Sequence, residues 1–274
     1  MKRTILMLAL GCFLAADLTA QPTKETSRQE VDFNQIHNST VIFTFGQSNS
    51  ANYGQKQYLY TAKHDVYNYF GGKLYKAQDP LLGATGSGAS VWGILGDKLI
   101  EAELTRSVTI IPIGIGGVTV GSWSKGGRNH TLLEKTLDEI IAKHIHIDCI
   151  CWHQGESDNI ANTSTSDYVD KFLTIREAFR NRGIEAPIVV AVASYHPFCL
   201  EEDHGCSKDI RQAQKQLAKE YKDIYPGPDT DKLDKCYQRA DGIHFSRVGQ
   251  QEHAALWVKA LRKIVKGLAH ATND

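Results

Sequence analysis

A chain of 274 residues is long enough for one large α/β domain with a full core, and at 42% apolar and 23% charged it has ordinary globular composition, which excludes a disordered or fibrous class. Lysine plus arginine equals aspartate plus glutamate at 31 each, so there is no basic field of the kind that holds a polyanion, and nucleic acid is excluded as an expected partner. The partner to expect is small or uncharged.

The chain opens on Lys2 and Arg3, continues as an apolar run from Ile5 to Ala16, and reaches Leu18-Thr19-Ala20 before Gln21. This is the three-part pattern of a cleavable secretory signal, so residues 1–20 read as a signal peptide and the mature chain as exported, periplasmic or secreted. The run is shorter than the roughly 20 apolar residues of a membrane span, and nothing downstream reaches that length. Ala9-Leu10-Gly11-Cys12 loosely resembles a lipoprotein box, which makes lipidation of Cys12 the competing reading. Residues 21–37 are polar and aperiodic and read as an N-terminal tail, leaving 38–274 as one folded domain.

Strand-type segments rich in β-branched residues follow at Val41 to Phe45, Val108 to Ile113, Ile147 to Trp152 and Ile188 to Ala193, with helical patterns between them. Such alternation predicts a parallel sheet. The stretch from Ala51 to Gly93, rich in Gly, Tyr and Lys, reads as a substrate-facing loop. One apolar helix stripe runs through Leu133, Leu137, Ile140 and Ile141, and another through Tyr168, Phe172, Ile175 and Phe179. A third helix is expected from about Ile210 to Tyr221, and a last one from the N-cap Ser246 to a stop near Gly267.

Of the six cysteines, Cys149, Cys151, Cys199, Cys206 and Cys236 follow the leader. Cys149 and Cys151 alternate within a buried strand and read as structural. An oxidising compartment favours one disulfide among Cys199, Cys206 and Cys236, with the pairing left open.

Chemistry gathers at the strand ends. Val41 to Phe45 breaks into Gly46-Gln47-Ser48-Asn49, placing a serine just past a strand's carboxyl end, where open α/β sheets bind ligands. Asp241-Gly242-Ile243-His244 precedes the last helix, and its three-residue separation lets the carboxylate reach one imidazole nitrogen while the other faces a nucleophile. After the third strand come His153-Gln154-Gly155-Glu156-Ser157-Asp158, in which the Gln154 carboxamide can donate to a developing oxyanion and Glu156 reads as a structural carboxylate. Gly114-Ile115-Gly116-Gly117 offers further backbone donors, without the spacing of a dinucleotide fingerprint. Together these supply a nucleophile, a base, its orienting partner and oxyanion donors.

These motifs, with Gly116-Gly117-Val118 and Asp241-Gly242-Ile243-His244-Phe245, resemble the sialate O-acetylesterase and carbohydrate esterase family 6 group of the SGNH hydrolase superfamily, over roughly residues 40 to 266. The resemblance implies a flavodoxin-like, three-layer α/β/α fold and removal of acetyl groups from carbohydrates without a metal or other cofactor. It further implies Ser48, Asp241 and His244 as the triad, and an oxyanion hole from the Ser48 amide, the Gly117 or Gly116 amide and the Gln154 side chain. Glu156 is supporting, and Arg211 and Gln214 resemble a family helix motif with a structural arginine. The chain departs from the family at Gly-Gly-Val118-Thr119, where members often carry Gly-Gly-Thr.

The expected substrate is an acetylated sugar, O-acetylated sialic acid first and acetylxylan as the alternative; oligomeric state is not legible. Two other classes compete: a sugar-binding module without turnover, and a lipid or thioester hydrolase of the same fold. The complete Ser, His and Asp set argues against the first, and the Tyr and Gly richness of 51–93 fits sugar better than an acyl chain. Histidines 144, 146, 153, 196 and 204 raise a zinc site, but the Cys199-x6-Cys206 spacing does not suit the short ligand loops of structural zinc.

Overall fold

Alternating strands and helices build one sheet of eight strands: β1 (Glu30–Val31), β2 (Thr40–Gly46), β3 (Val66–Phe70), β4 (Lys73–Lys76), β5 (Val108–Pro112), β6 (Cys149–His153), β7 (Ile188–Val192) and β8 (Ile224–Asp229). The computed structural model describes residues 23, 27–197, 199 and 203–271. The leader, Cys12 and the expected cleavage site lie outside them. The strand order is β1-β4-β3-β5-β2-β6-β7-β8, with β3, β5, β2, β6, β7 and β8 parallel and β4 antiparallel to β1 and β3.

Because side chains alternate along a strand, each strand feeds two cores. On one face Phe43, Phe45, Ile150, Trp152, Ile188 and Val190 pack under α2 (Val120–Trp123), α3 (His130–Ala142), α5 (Thr165–Arg180) and α6 (Lys208–Glu220). On the other, Ile42, Ile110, Cys149, Cys151, Val189 and Ala191 pack under α1 (Val91–Glu101) and α7 (Arg247–Ala271), where Trp92 and Trp257 meet at 5.3 Å between ring centroids. The molecule is therefore a three-layer α/β/α sandwich around a mostly parallel sheet. Each fully buried apolar side chain contributes about 1.5–3 kcal/mol by leaving water.

Several elements differ from the sequence reading. Residues 30–38 belong to the fold rather than to a tail: β1 pairs with β4, and a 3-10 turn at Phe33–Asn38 buries Ile36. The stretch 51–93 contains β3, β4 and the start of α1; the Gly71-Gly72 turn, at φ 58° and 76°, closes the hairpin. Ile141 lies outside the buried stripe of α3, 42% exposed, while Leu133, Leu137 and Ile140 form it. The last helix passes Gly267 and runs to Ala271, capped at its start by Ser246, whose Oγ accepts from Gly249 N at 3.1 Å. No disulfide joins the described cysteines, and Cys236 is exposed.

His153 and His253, both fully buried, lie with their ring centroids 4.8 Å apart and their planes tilted by 54°. His153 Nε2 contacts Thr230 Oγ1 at 2.9 Å, and Trp257 Nε1 donates to His253 Nε2 at 2.9 Å. Burial, with the Arg239 charge nearby, pushes His153 down from 6.5 to about 3, so it folds as the neutral ring. Below pH 6.5 the unfolded chain takes up a proton that the folded chain does not. Stability conferred at neutral pH is therefore lost between about pH 6.5 and 3, at about 1.4 kcal/mol per pH unit. We expect the unfolding free energy of the wild type, relative to His153→Gln, to fall with that slope from pH 6 downward. A difference that is flat with pH in chemical denaturation would contradict it.

Candidate active site

The central strand β2 has β5 on one side and β6 on the other, so the chain leaves the sheet in opposite directions around its carboxyl end, the crevice where ligands bind in such sheets. Three of the sequence motifs start there: Gly46 ends β2, Gly114–Gly117 follows β5, and Gln154 follows β6. Gly46 has φ 136°, and a Cβ on it would overlap the His153 carbonyl, so only glycine makes this turn.

Ser48 opens a 3-10 turn, Ser48–Ser50, and is 5% exposed. Both layers anchor that turn. Trp123 Nε1 donates to Gly46 O at 3.1 Å from one side, Trp92 Nε1 donates to Ser50 O at 2.8 Å from the other, and Ser50 Oγ donates to Phe45 O at 3.0 Å. As the first group of the turn, the Ser48 N–H has no intrahelical acceptor.

Asp241 and His244 sit on a loop closed by the Arg239–Phe245 bridge, ahead of α7. His244 Nδ1 meets Asp241 Oδ2 at 2.7 Å, while Asp241 Oδ1 accepts from the backbone of Ile243 at 2.9 Å and of His244 at 2.7 Å. Burial alone would raise the Asp241 carboxyl. The imidazole bond and the loop amides outweigh it and hold the group well below the usual carboxylate range. Arg239, 4% exposed between the rings of Tyr195 and Phe245, donates to the carbonyls of Leu233, Thr230 and, at 2.6 Å, Ile243 next to His244.

The serine turn and the histidine loop meet through their neighbours. Asn49 Nδ2 donates to Glu156 Oε1 at 2.8 Å and to Ile243 O at 3.4 Å, and the Tyr53 ring stacks on His244 at 5.4 Å. Among the described residues, Ser48 and His244 share no direct hydrogen bond. Glu156 opens α4 (Glu156–Ile160), 2% exposed; it holds the Asn49 side chain, and among the described residues its Oε2 has no hydrogen-bond partner. Burial pushes the Glu156 carboxyl up, with the Asn49 bond opposing. Asn49→Ala, which removes both contacts, is expected to lower kcat/KM for an acetyl ester about tenfold, since a hydrogen bond to a charged group is worth roughly 1.5–3 kcal/mol. Steady-state hydrolysis of p-nitrophenyl acetate measures it, and an unchanged value would count Asn49 out.

The glycine loop is selective about its amides. Gly116 N donates to Thr85 Oγ1 at 2.9 Å, whereas Gly117, exposed at φ 66°, has a backbone N–H with no acceptor among the described residues. Gln154, the expected oxyanion donor, is hydrogen-bonded inside the fold. It is fully buried, and its Nε2 donates to Val118 O at 3.1 Å, to Gln47 Oε1 at 3.2 Å and to Asp158, while its Oε1 accepts from Tyr168 at 3.0 Å. The cause is Asp158, a buried carboxylate that takes donors from Gln154, Val120 and Thr163. Gln214 ties β6 to β7 through Gln154 O and both backbone groups of Ala193, and Arg211 pairs with Asp229 and Asp231, 13 residues or more from His244 in sequence. Tyr53, Thr85 and Arg239 were not singled out from the sequence; Tyr53 and Thr85 lie within the stretch flagged as substrate-facing.

The family described as carbohydrate esterase, sialic acid-specific acetylesterase, matches residues 38–263. No curated protein matches the chain. Among solved structures, the fold is similar to that of a protein from Arabidopsis thaliana, at 15% identity and TM-score 0.62 over 81% of this chain and 97% of that one. It is also similar to NanS, at 13% identity and TM-score 0.55 over 90% and 100%. A third is a carbohydrate acetylesterase from Xanthomonas citri, at 13% identity and TM-score 0.52 over 83% of this chain and 56% of that one. The family match spans nearly all of the described fold and both halves of the strand-end cluster, so the chain belongs to the sialic acid-specific acetylesterase family of carbohydrate esterases and is an acetylester hydrolase.

Proposed function

We propose that the chain releases acetate from O-acetylated sugars, O-acetylated sialic acid first, through an acyl-enzyme on Ser48. The observation that carries this reading is the 2.7 Å Asp241–His244 pair on a loop joined by Asn49 to the turn that bears Ser48. His244 takes the Ser48 proton as the hydroxyl attacks the acetyl carbonyl, and the Ser48 and Gly117 N–H groups receive the oxyanion. His244 then gives that proton to the departing sugar oxygen, leaving acetyl-Ser48. Water, deprotonated by His244, attacks this ester, and collapse frees acetate and restores the serine. Asp241 stays ionised throughout and fixes the ring so that Nε2 is the basic nitrogen.

The reading includes a leader at residues 1–20, an exported mature form and one esterase unit that takes in β1 and the Phe33–Asn38 turn. Its test is acetate release by the mature protein from O-acetylated sialic acid and acetylated xylan in parallel. Release from the first alone supports the reading as stated, release from xylan alone reassigns the sugar, and release from neither rejects it for both.

A further inference from the structure

The glycine loop after β5 has no regular secondary structure to fix it, yet an oxyanion donor must be placed to a fraction of an ångström before the reaction begins. What fixes it is Thr85, fully buried and 31 residues before Gly116. Its hydroxyl accepts from Gly116 N at 2.9 Å and lies 3.4 Å from Gly114 O, to which the Thr85 N–H donates at 2.9 Å. Its own carbonyl accepts from Asn52 N at 2.9 Å, two residues past the Ser48–Ser50 turn. Thr85 thus touches the glycine loop with one end and the nucleophile turn with the other.

The segment carrying Thr85 is itself gripped from both sides. Asn52, fully buried, exchanges bonds with Leu81 and donates to Ala84 O at 3.1 Å. Thr23 donates to Ala84 O at 2.8 Å and Gly86 O at 2.9 Å, and accepts from Gly83 N at 3.0 Å. On the far side of the loop, the Tyr53 hydroxyl lies where a Gly116 side chain would be, and the Tyr53 ring stacks on His244.

We infer that Thr85 is a positioning residue for the esterase reaction: by engaging the Gly116 N–H and the Gly114 carbonyl it fixes the Ile115–Gly116 peptide, from which the next amide, that of Gly117, is set to face the acyl oxygen. The inference rests on the proposed Ser48 mechanism. Thr85 touches no reacting atom, so its effect belongs to the transition state and not to ground-state binding.

Thr85→Val keeps the shape and removes the hydroxyl. On p-nitrophenyl acetate it should lower kcat about 10- to 100-fold, the range between a displaced and a lost oxyanion donor, with KM within about twofold. Inhibition by a small alkylboronic acid, which forms a tetrahedral adduct on the serine, should weaken by a similar factor. Thr85→Ser, which restores the hydroxyl, should stay within about threefold of wild type, and if the valine variant does not fold, Thr85→Ala is expected to reproduce the kcat loss. An unchanged kcat, a loss confined to KM, or a serine variant as impaired as the valine one would overturn the inference. A Ser48→Ala protein that retains activity would instead bring down the mechanism beneath it, whereas an inactive Ser48→Ala beside a fully active Thr85→Val overturns the positioning role alone.

Discussion

Ser48→Ala is expected to reduce kcat for acetate release by about 10⁴- to 10⁶-fold, the range seen when a hydrolase loses a serine nucleophile, leaving the residual rate that oxyanion donors and binding alone supply. The size of the loss follows from how little else is present to attack. Cys149 and Cys151 are fully buried in the core under α1 and α7, and Ser50, the nearest other hydroxyl in sequence, is buried and engaged with the Phe45 carbonyl. Stability should barely move. The Ser48 hydroxyl carries no hydrogen bond among the described residues, and removing one oxygen from a position 5% exposed opens a very small cavity. A thermal midpoint within about two degrees of wild type, with activity gone, separates chemistry from folding. Activity surviving the substitution would mean that another group attacks the ester.

How much of this was legible in the sequence depends on how local the determinants are. Gly46-Gln47-Ser48 and Asp241-Gly242-Ile243-His244 each build their geometry within four residues, so the turn and the hydrogen-bonded pair can be read from order alone. The core strands were equally plain, because β2, β6 and β7 are apolar on both faces. Strand β3 was not: Asn68 sits in it fully satisfied by the Leu82 backbone and the Tyr69 carbonyl, a tertiary solution invisible in its own segment. Strand β8 reads Ile-Tyr-Pro-Gly-Pro-Asp, which looks like a loop and is tolerated because it forms a sheet edge. Gln154 is ambiguous for a related reason. A carboxamide at a strand end can face the substrate or a buried carboxylate, and only the burial of Asp158 decides between them. Glu156, Asn49, Tyr53 and Arg239 join segments up to 194 residues apart, and no spacing rule connects them.

Asp241→Asn is expected to lower kcat about 10⁴-fold with little change in KM. The Asp241 side chain is 56% exposed, so solvent screens its charge, and electrostatic stabilisation of the imidazolium is only part of its effect. Tautomer control supplies the rest. In the wild type Oδ1 is occupied by the N–H groups of Ile243 and His244, and Oδ2 accepts from His244 Nδ1, which leaves the Nε2 lone pair for Ser48. An asparagine has one oxygen. The two loop amides still require it, so the amino group turns to the ring and donates to Nδ1. That forces the hydrogen onto Nε2, where it meets the serine hydroxyl as a donor instead of a base. Because the wild-type carboxyl is held far below its usual range, it stays ionised at assay pH and adds no proton of its own to the acid limb of activity. The wild-type acid limb should therefore be a single-proton step in kcat/KM. A second proton in that limb, or an asparagine variant within tenfold of wild type, would show that His244 is oriented by some other group.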